Sequence, residues 1–549
     1  MPRITTTCAL LMICGLPAAA QVTDRHMHRA GATHAGSLGD VSFENSGGAA
    51  AQEPFLRGLA LLHSFEYEEA AEAFLAAQTA DPAFAMAYWG EALTYAHLLW
   101  GEDDPASARA ALTRLGPTPE ARLGLAGSVR ERAYGAAVEA FFADADVAQR
   151  VHAFADSLRR VLAAYPDDVD ALAFGALSLM FTEYVGMLSP EQRHAARNEA
   201  ITLAERAYAA SPTHPGAVHY LIHATDDPDF AARGEAAARS YAELAPDAEH
   251  ALHMPSHIFL QLGLWDEVVA SNERAWAASR AEIAARGGSN ADVSFHALQW
   301  LQYGYLQQGR YHEARALADT ARAVLHGLDL SDAQHVDARY IVAELEFVHA
   351  ANTGEWSARA CERVHLPRMD AEPASDRERS FRTVALVQSV IAEMRCTGRE
   401  GEAARALRAA ASSNDAAAAP MLRTSVTLLD AVARQTRGDH AGASALLAPL
   451  ADAPVRPPVG PPLLPRVHEL LAESMMAQAR PRDAAALYER ALRLTPNRAA
   501  ALIGLARAHA AVGDRAAAAS AWRRLLVNWH RSDADLEVLA EARRMTTGS

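Results

Sequence analysis

The residues with the clearest capacity for chemistry are histidines, and their distribution is uneven. Five of the 23 histidines lie between positions 219 and 257: His219, His223, His250, His253 and His257. Two pairs have the spacing HxxxH, and the second pair follows the first by 34 residues (253 − 219 and 257 − 223). Imidazoles four residues apart on a helix share one face, which is the geometry for chelating a metal ion.

The residue types restrict which ion such a cluster would bind. An all-imidazole ligand set suits zinc, copper, nickel or iron and disfavours calcium and magnesium. We therefore expect a transition metal ion, with copper or zinc as the first choices. A zincin site is excluded because Tyr220 stands where HExxH needs its glutamate. The ion would be structural, stapling adjacent helices, or catalytic with an open coordination position.

A metal-free interpretation of the same histidines stays open. The imidazoles would then hydrogen-bond one another and Asp226, or bind acidic residues of a partner protein. Pro255 adds a second ambiguity, because it either kinks the helix that carries His253 and His257 or begins that helix. In the second case His253 lies on the entering loop, and the spacing argument holds only for His219 and His223.

The elements that position these residues repeat along the chain. The segment 54–82 combines small residues, which let two helices approach closely, with a proline that stops the second helix. Its spacing of Gly58, Tyr67, Ala70, Ala77 and Pro82 resembles the tetratricopeptide repeat (TPR) superfamily, and the segment 486–526 repeats the pattern most clearly. The stretches SFEYEEAAEAF, MAYWGEAL, HYLIHATDDP and HALHMPSHIFLQLG are also similar to a group of exported bacterial TPR proteins.

This resemblance implies an all-α fold, a right-handed superhelical solenoid of about twelve helix-turn-helix units with one concave face. The expected unit starts are Ala51, Ala85, Gly135, Val169, Pro215, Glu249, Phe295, Tyr340, Val384, Thr424, Pro465 and Ala499.

The TPR phase also assigns residues to the concave groove. In such arrays the first helix of each unit lines the groove, which here selects a histidine-rich set. The candidate metal ligands are His219, His223, His253, His257, His250 and His296. Four more residues are candidates, either as additional ligands or as residues that contact the ligands. They are Asp226, Asp227, His97 (with His63 at the equivalent place 34 residues earlier) and Tyr303.

Composition shifts divide the chain. Residues 1–20 have a basic start at Arg3, a short apolar run and small residues before Gln21, which is typical of a secretory signal peptide. The expected organisation is a signal peptide (1–20), an extended His- and Gly-containing segment (21–50), an N-terminal TPR array with the His-rich site (51–330), a middle array (331–452), a Pro-rich joint (453–465) and a C-terminal TPR pair with a tail (466–549).

Charge and cysteines narrow the functional classes. A net charge of −16 without a basic run argues against nucleic acid, and after the signal peptide no apolar run is long enough for membrane insertion. Cys361 and Cys396 would remain after cleavage, and a disulfide or two free thiols are equally compatible with the sequence. No GxSxG, P-loop, GxGxxG or CxxC motif is present.

The sequence therefore predicts an exported, periplasmic or secreted solenoid that binds a transition metal. It would act as a metal-dependent enzyme on a small or peptide-like substrate, or store metal. The alternative is a metal-free scaffold that binds a peptide or partner protein in its groove.

Overall fold

The computed structural model describes residues 38–100, 102–246, 248–288, 293–326, 336–356, 376–412, 419–453 and 459–547. The predicted signal peptide, Cys361 and part of the Pro-rich joint lie outside these residues. Of the 21–50 segment, residues 38–48 are described and have no regular secondary structure before the first helix begins at Ala49.

The described chain is all-α apart from one short ladder, as predicted. Two-residue strands β1 (Ala96–His97) and β2 (Glu102–Asp103) pair antiparallel around a 3₁₀ turn. The helices of the first half are α1 Ala49–His63, α2 Tyr67–Ala80, α3 Ala85–Leu93, α4 Pro105–Leu115, α5 Pro119–Leu123, α6 Val129–Phe141, α7 Val147–Ala164, α8 Val169–Val185, α9 Pro190–Ala210, α10 Pro215–Thr225, α11 Ala231–Leu244, α12 Glu249–His253, α13 Pro255–Leu262 and α14 Trp265–Arg286.

The second half continues in the same way. Its helices are α15 Phe295–Gln307, α16 Tyr311–Leu325, α17 Val336–Thr353, α18 Asp376–Thr397, α19 Glu402–Ala411, α20 Ala419–Thr436, α21 His440–Asp452, α22 Val467–Ala477, α23 Pro481–Leu494, α24 Ala499–Ala511, α25 Arg515–Asn528 and α26 Glu537–Thr547. Among the described residues, no helix combines the length and the apolar character that crossing a bilayer requires.

The helix-turn-helix prediction is confirmed. Each of the twelve expected unit starts falls within, or two residues before, a helix. Of the pair expected to start at Tyr340, only the first helix, α17, lies within the described residues. Small residues permit the close approach of helices, as predicted. A Cβ added at Gly58 would lie 2.9 Å from the Phe74 ring of the same pair, and one at Gly90, in the next pair, would lie 2.5 Å from it. Between the helix pairs, the segment 116–134 contains the additional short helix α5, and residues 186–189 join α8 to α9.

The chain divides into two compact units. Of the described residues, one unit, here called the N-terminal unit, comprises those within 38–258 and 274–293, and the C-terminal unit comprises those within 259–273 and 294–547. Within the N-terminal unit, α1 packs against α2 and α10, and α11 packs against α10 and α12. These contacts bring the end of α1 next to the two helical segments that carry the phased histidines.

Candidate metal centre

Helix α10 places His219 and His223 on one face. The helix begins with Pro215 at its first position, and the ring Nδ1 of the N-cap residue His214 accepts a hydrogen bond from the Ala217 N–H at 3.3 Å. The ring centroids of His219 and His223 lie 4.8 Å apart. Local helix geometry alone therefore supplies this pair.

The interruption between α12 and α13 positions the second histidine pair, His253 and His257. Helix α12 ends at His253, Met254 is a turn residue, and α13 begins at Pro255. The proline thus begins a helix, but His253 is the last residue of the preceding helical turn and does not lie on a loop. The Nε2 atoms of His253 and His257 face each other at 3.1 Å.

His219, His223 and His250 form the first cluster. Their candidate ligand atoms all lie within 4.8 Å of one another. The Nε2 atoms of His219 and His250 are 3.1 Å apart. The Nε2 atom of His223 is buried and has no hydrogen-bond partner in the described part of the chain. Three nitrogens thus converge on one small volume.

A backbone carbonyl fixes which nitrogen of His219 faces the cluster. Its Nδ1 lies 2.7 Å from the carbonyl oxygen of His63. A carbonyl only accepts, so Nδ1 carries the proton and donates it. Burial lowers the pKa of His219 to about 3, so the ring is neutral and its Nε2 presents a lone pair. This is the orientation that a metal-ligating imidazole requires.

The spacing of the facing nitrogens suits metal coordination. With zinc–nitrogen bonds of about 2.0–2.1 Å in tetrahedral geometry, two ligand nitrogens lie roughly 3.3–3.4 Å apart. The 3.1 Å between the Nε2 atoms of His219 and His250 is within a few tenths of an ångström of that value. Without an ion, the same contact serves as an N–H···N hydrogen bond.

Aromatic rings enclose this cluster. The Phe65 ring centroid lies 4.4 Å from that of His219, 5.5 Å from His223 and 5.7 Å from His250. Phe65 has φ 62° in the left-handed region, where a bulky residue is strained, and the Glu66 N–H closes the turn onto the Leu61 carbonyl at 3.0 Å.

Burial, with neighbouring imidazoles, holds the pKa of His223 and of His250 well below the usual range.

The histidines are therefore less accessible than a solvent-filled groove would make them. His219, His253 and His257 are 0%, 1% and 3% exposed. His223 and His250 retain partial exposure.

Asp226 anchors the second pair. Its Oδ2 accepts a hydrogen bond from His257 Nδ1 at 2.7 Å, and both side chains are buried. The carboxylate therefore directs the His257 Nε2 lone pair toward His253. This carboxylate–histidine arrangement recurs behind metal ligands in proteins.

A third group of potential ligands is occupied internally. His63 Nε2 lies 3.1 Å from Asp170 Oδ1, and His214 Nε2 lies 3.4 Å from the same oxygen. Burial alone would raise the pKa of Asp170, but hydrogen bonds from His214 and His63 hold that pKa well below its usual range. His63 donates its Nε2–H to the ionised carboxylate, so His63 Nδ1 accepts from the Tyr220 hydroxyl at 3.1 Å. The His63 ring therefore keeps no lone pair for a metal ion.

A small cavity adjoins His223. It measures about 10 Å³ and is lined by His223, Glu183, Tyr184 and Arg197, among other residues. That volume is close to the minimum for one water molecule. The Arg197 guanidinium forms two hydrogen bonds to the Glu183 carboxylate, at 3.0 and 2.7 Å, so this cation is already neutralised.

Two other sequence candidates have different surroundings. The His97 ring stacks on Tyr67 with centroids 3.9 Å apart, and its Nε2 lies 2.6 Å from the Thr94 carbonyl oxygen. His97 belongs to none of the groups of three potential ligands found among the described residues. Asp227 faces Arg197 at 3.8 Å and accepts from the Asp229 N–H at 2.9 Å. Neither side chain is placed as a ligand.

The remaining candidates belong to the C-terminal unit. His296 is buried on α15 and packs edge-on against Trp300 at 5.8 Å. Tyr303 is fully buried, and its hydroxyl oxygen accepts a hydrogen bond from Arg498 at 2.6 Å. Cys396 is disulfide-bonded, and its predicted partner Cys361 lies outside the described residues, so that pairing stays a prediction.

Sequence reasoning missed the residues behind the ligands. Phe65 and Asp170 carry no metal-binding pattern, and His214 was not singled out. One available signal was Asp170 near the start of α8, an otherwise strongly apolar helix. Another was His214 directly before the helix-starting Pro215.

Comparison with known proteins finds similarity only among solved structures. The crystal structure of the P58(IPK) TPR domain is 13% identical with a TM-score of 0.20, covering 91% of this chain and 99% of that one. The human IFIT1 dimer with m7Gppp-AAAA is 11% identical with a TM-score of 0.33, covering 88% and 91%. No family model and no curated protein sequence matches the chain. Nothing about a ligand follows from these likenesses.

Proposed function

We propose that this chain is an exported transition-metal-binding repeat protein whose N-terminal unit holds an ion at His219, His223 and His250. The observation that carries the proposal is the convergence of three imidazoles. The His219 and His250 nitrogens approach to 3.1 Å, while the buried Nε2 of His223 has no partner among the described residues. A buried polar atom without a partner is costly, and an ion would satisfy it.

The donor chemistry favours copper or zinc. Neutral imidazoles bind both ions well, and a three-histidine set leaves a fourth position for water, as in catalytic zinc sites. The proposal therefore extends to metal-dependent chemistry on a small or peptide-like substrate. His223 and His250 are the partly exposed members of the cluster, so such a substrate would approach on their side. His296 remains a further ligand proposed from its sequence position.

The competing proposal is a metal-free scaffold that binds a peptide or partner protein. Helical-hairpin repeats present long surfaces suited to that role. On this account the histidines hydrogen-bond one another, and the 3.1 Å nitrogen contacts are N–H···N bonds. The two proposals differ in whether the purified protein retains metal.

Elemental analysis of the purified chain, prepared without a histidine tag and loaded with copper or zinc, separates them. We expect at least about one tightly bound equivalent, which falls by about one in His219→Ala/His223→Ala because two ligands are lost. The control is His194→Ala, an exposed histidine whose loss should leave metal content unchanged. Less than about 0.2 equivalents in the loaded wild type would support the scaffold instead.

A further inference from the structure

We infer that the N-terminal unit holds a second metal ion at His253 and His257, with Asp226 as the residue that positions His257. This inference rests on the proposed function, and it makes the site a pair of neighbouring metal positions. The spacing in the sequence is compatible with one ion or with two close ions, whereas the structure places His219, His223 and His250 in one group of potential ligands and His253 and His257 in another.

The second position has its own facing nitrogens. The Nε2 atoms of His253 and His257 lie 3.1 Å apart, the same separation as in the first cluster. That distance is close to the roughly 3.3–3.4 Å expected between two nitrogens on one tetrahedral zinc ion. Each pair of nitrogens therefore has the spacing of one edge of a coordination polyhedron.

The two positions are anchored independently. His219 donates to the carbonyl oxygen of His63 at the end of α1, at 2.7 Å. His257 donates to the carboxylate of Asp226, which caps the end of α10, also at 2.7 Å. The two groups of rings therefore have separate anchors, on two different elements.

The rings nevertheless lie close to one another. The centroids of His223 and His257 are 6.1 Å apart, so these two imidazoles bring the two positions side by side. Two divalent ions so near repel each other, and the buried Asp226 carboxylate supplies negative charge beside the second position. A pair of imidazoles leaves open coordination positions, where a water molecule or an oxygen-bearing substrate would bind.

The test is metal stoichiometry in the full chain without a histidine tag, measured by elemental analysis after loading with zinc or copper and removal of excess ion. We expect two equivalents in the wild type. His257→Ala should lose only the second ion, and His219→Ala/His223→Ala only the first. His194→Ala serves as the control.

Asp226→Asn gives a milder variant that keeps an oxygen acceptor for His257 Nδ1 but removes the charge. We expect it to weaken only the second ion, by roughly 10–100-fold in dissociation constant. Circular dichroism checks that this variant is folded. Cobalt(II) absorption of the cobalt-loaded variant checks that the first position is intact.

Each outcome is decisive. One equivalent in the wild type, lost on changing either pair, would overturn the second position while leaving the proposed function intact. Two equivalents that survive His257→Ala would also overturn it. Absence of bound metal would overturn both proposals.

Discussion

At the scale of single residues, acceptors fixed in the fold decide what the histidines can do. The His63 carbonyl and the Asp226 carboxylate each take the Nδ1 proton of a ring, and the Nε2 lone pairs of His219 and His257 therefore face the clusters. Asp170 does the opposite for His63, because it takes the Nε2 proton and removes that ring from the ligand set. Identical side chains acquire different chemistry from their partners.

The same principle applies to a carboxyl group in the C-terminal unit. Burial raises the pKa of Glu344 to about 8, although a hydrogen bond from Gln299 opposes the shift. The protonated form is favoured in the folded state. The stability that Glu344 contributes is therefore complete below its ordinary pKa of 4.5 and is lost as pH rises toward 8.

We predict that Glu344→Gln unfolds at a similar urea concentration to the wild type at pH 5 and at a higher concentration at pH 8. Each unit of pKa displacement corresponds to about 1.4 kcal/mol, so the difference should grow steadily over that interval. Urea titrations at several pH values measure it. A constant difference across the range would contradict the prediction.

The control lies two residues further along α17. Glu346 is also buried, but it pairs with the guanidinium groups of Arg315 and Arg322. Glu346→Gln should lower stability at neutral pH, because two cations lose their counter-charge.

At the scale of elements, the approach of α1 to α10 positions the site. A Cβ added at Gly216 would lie 2.3 Å from His63 Nδ1, so only glycine lets the His63 ring lie against the first turn of α10. That packing brings the His63 carbonyl to His219. The position of the first cluster therefore depends on one missing methyl group.

We predict that Gly216→Ala lowers the melting temperature and weakens metal binding, although alanine favours helix by about 1 kcal/mol. Overpacking of this kind costs about 1–3 kcal/mol and would displace His63. Calorimetry and metal titration measure the two effects. The control is Gly175→Ala in α8, where the added Cβ meets only leucine side-chain ends at 3.1 Å. Equal behaviour of both variants would contradict the assignment.

The interruption of the helix at Met254 is a second feature at the scale of elements that positions histidines. It ends α12 at His253 and restarts the helix with Pro255. The Nε2 atoms of His253 and His257 still meet across the break. Pro255, two residues from each of these histidines, thus redirects the backbone without separating the rings.

At the scale of the whole molecule, the periodicity of the sequence predicts the repeats. It does not predict contacts between residues that are distant in sequence. The twelve expected unit starts all fall within, or two residues before, helices of the described residues, because small residues and prolines recur at fixed spacing. The contact between His63 and His219 spans 156 residues, and no local pattern encodes it. The division into two units and the burial of the histidines were missed for the same reason.

Export stays a prediction, because the signal-like residues 1–20 lie outside the described part of the chain. Mass spectrometry of protein recovered from a bacterial periplasm would show whether the chain begins at Gln21. The right-handed superhelix likewise stays a prediction.

X-ray absorption spectroscopy of the zinc- or copper-loaded chain tests directly whether the clustered histidines bind the metal ion. We expect a first shell of nitrogen and oxygen near 2.0 Å, with the outer-shell scattering of about two to three imidazoles per ion and no sulfur. That imidazole scattering should diminish in His219→Ala/His223→Ala. A shell of oxygen atoms alone, without imidazole scattering, would contradict the account.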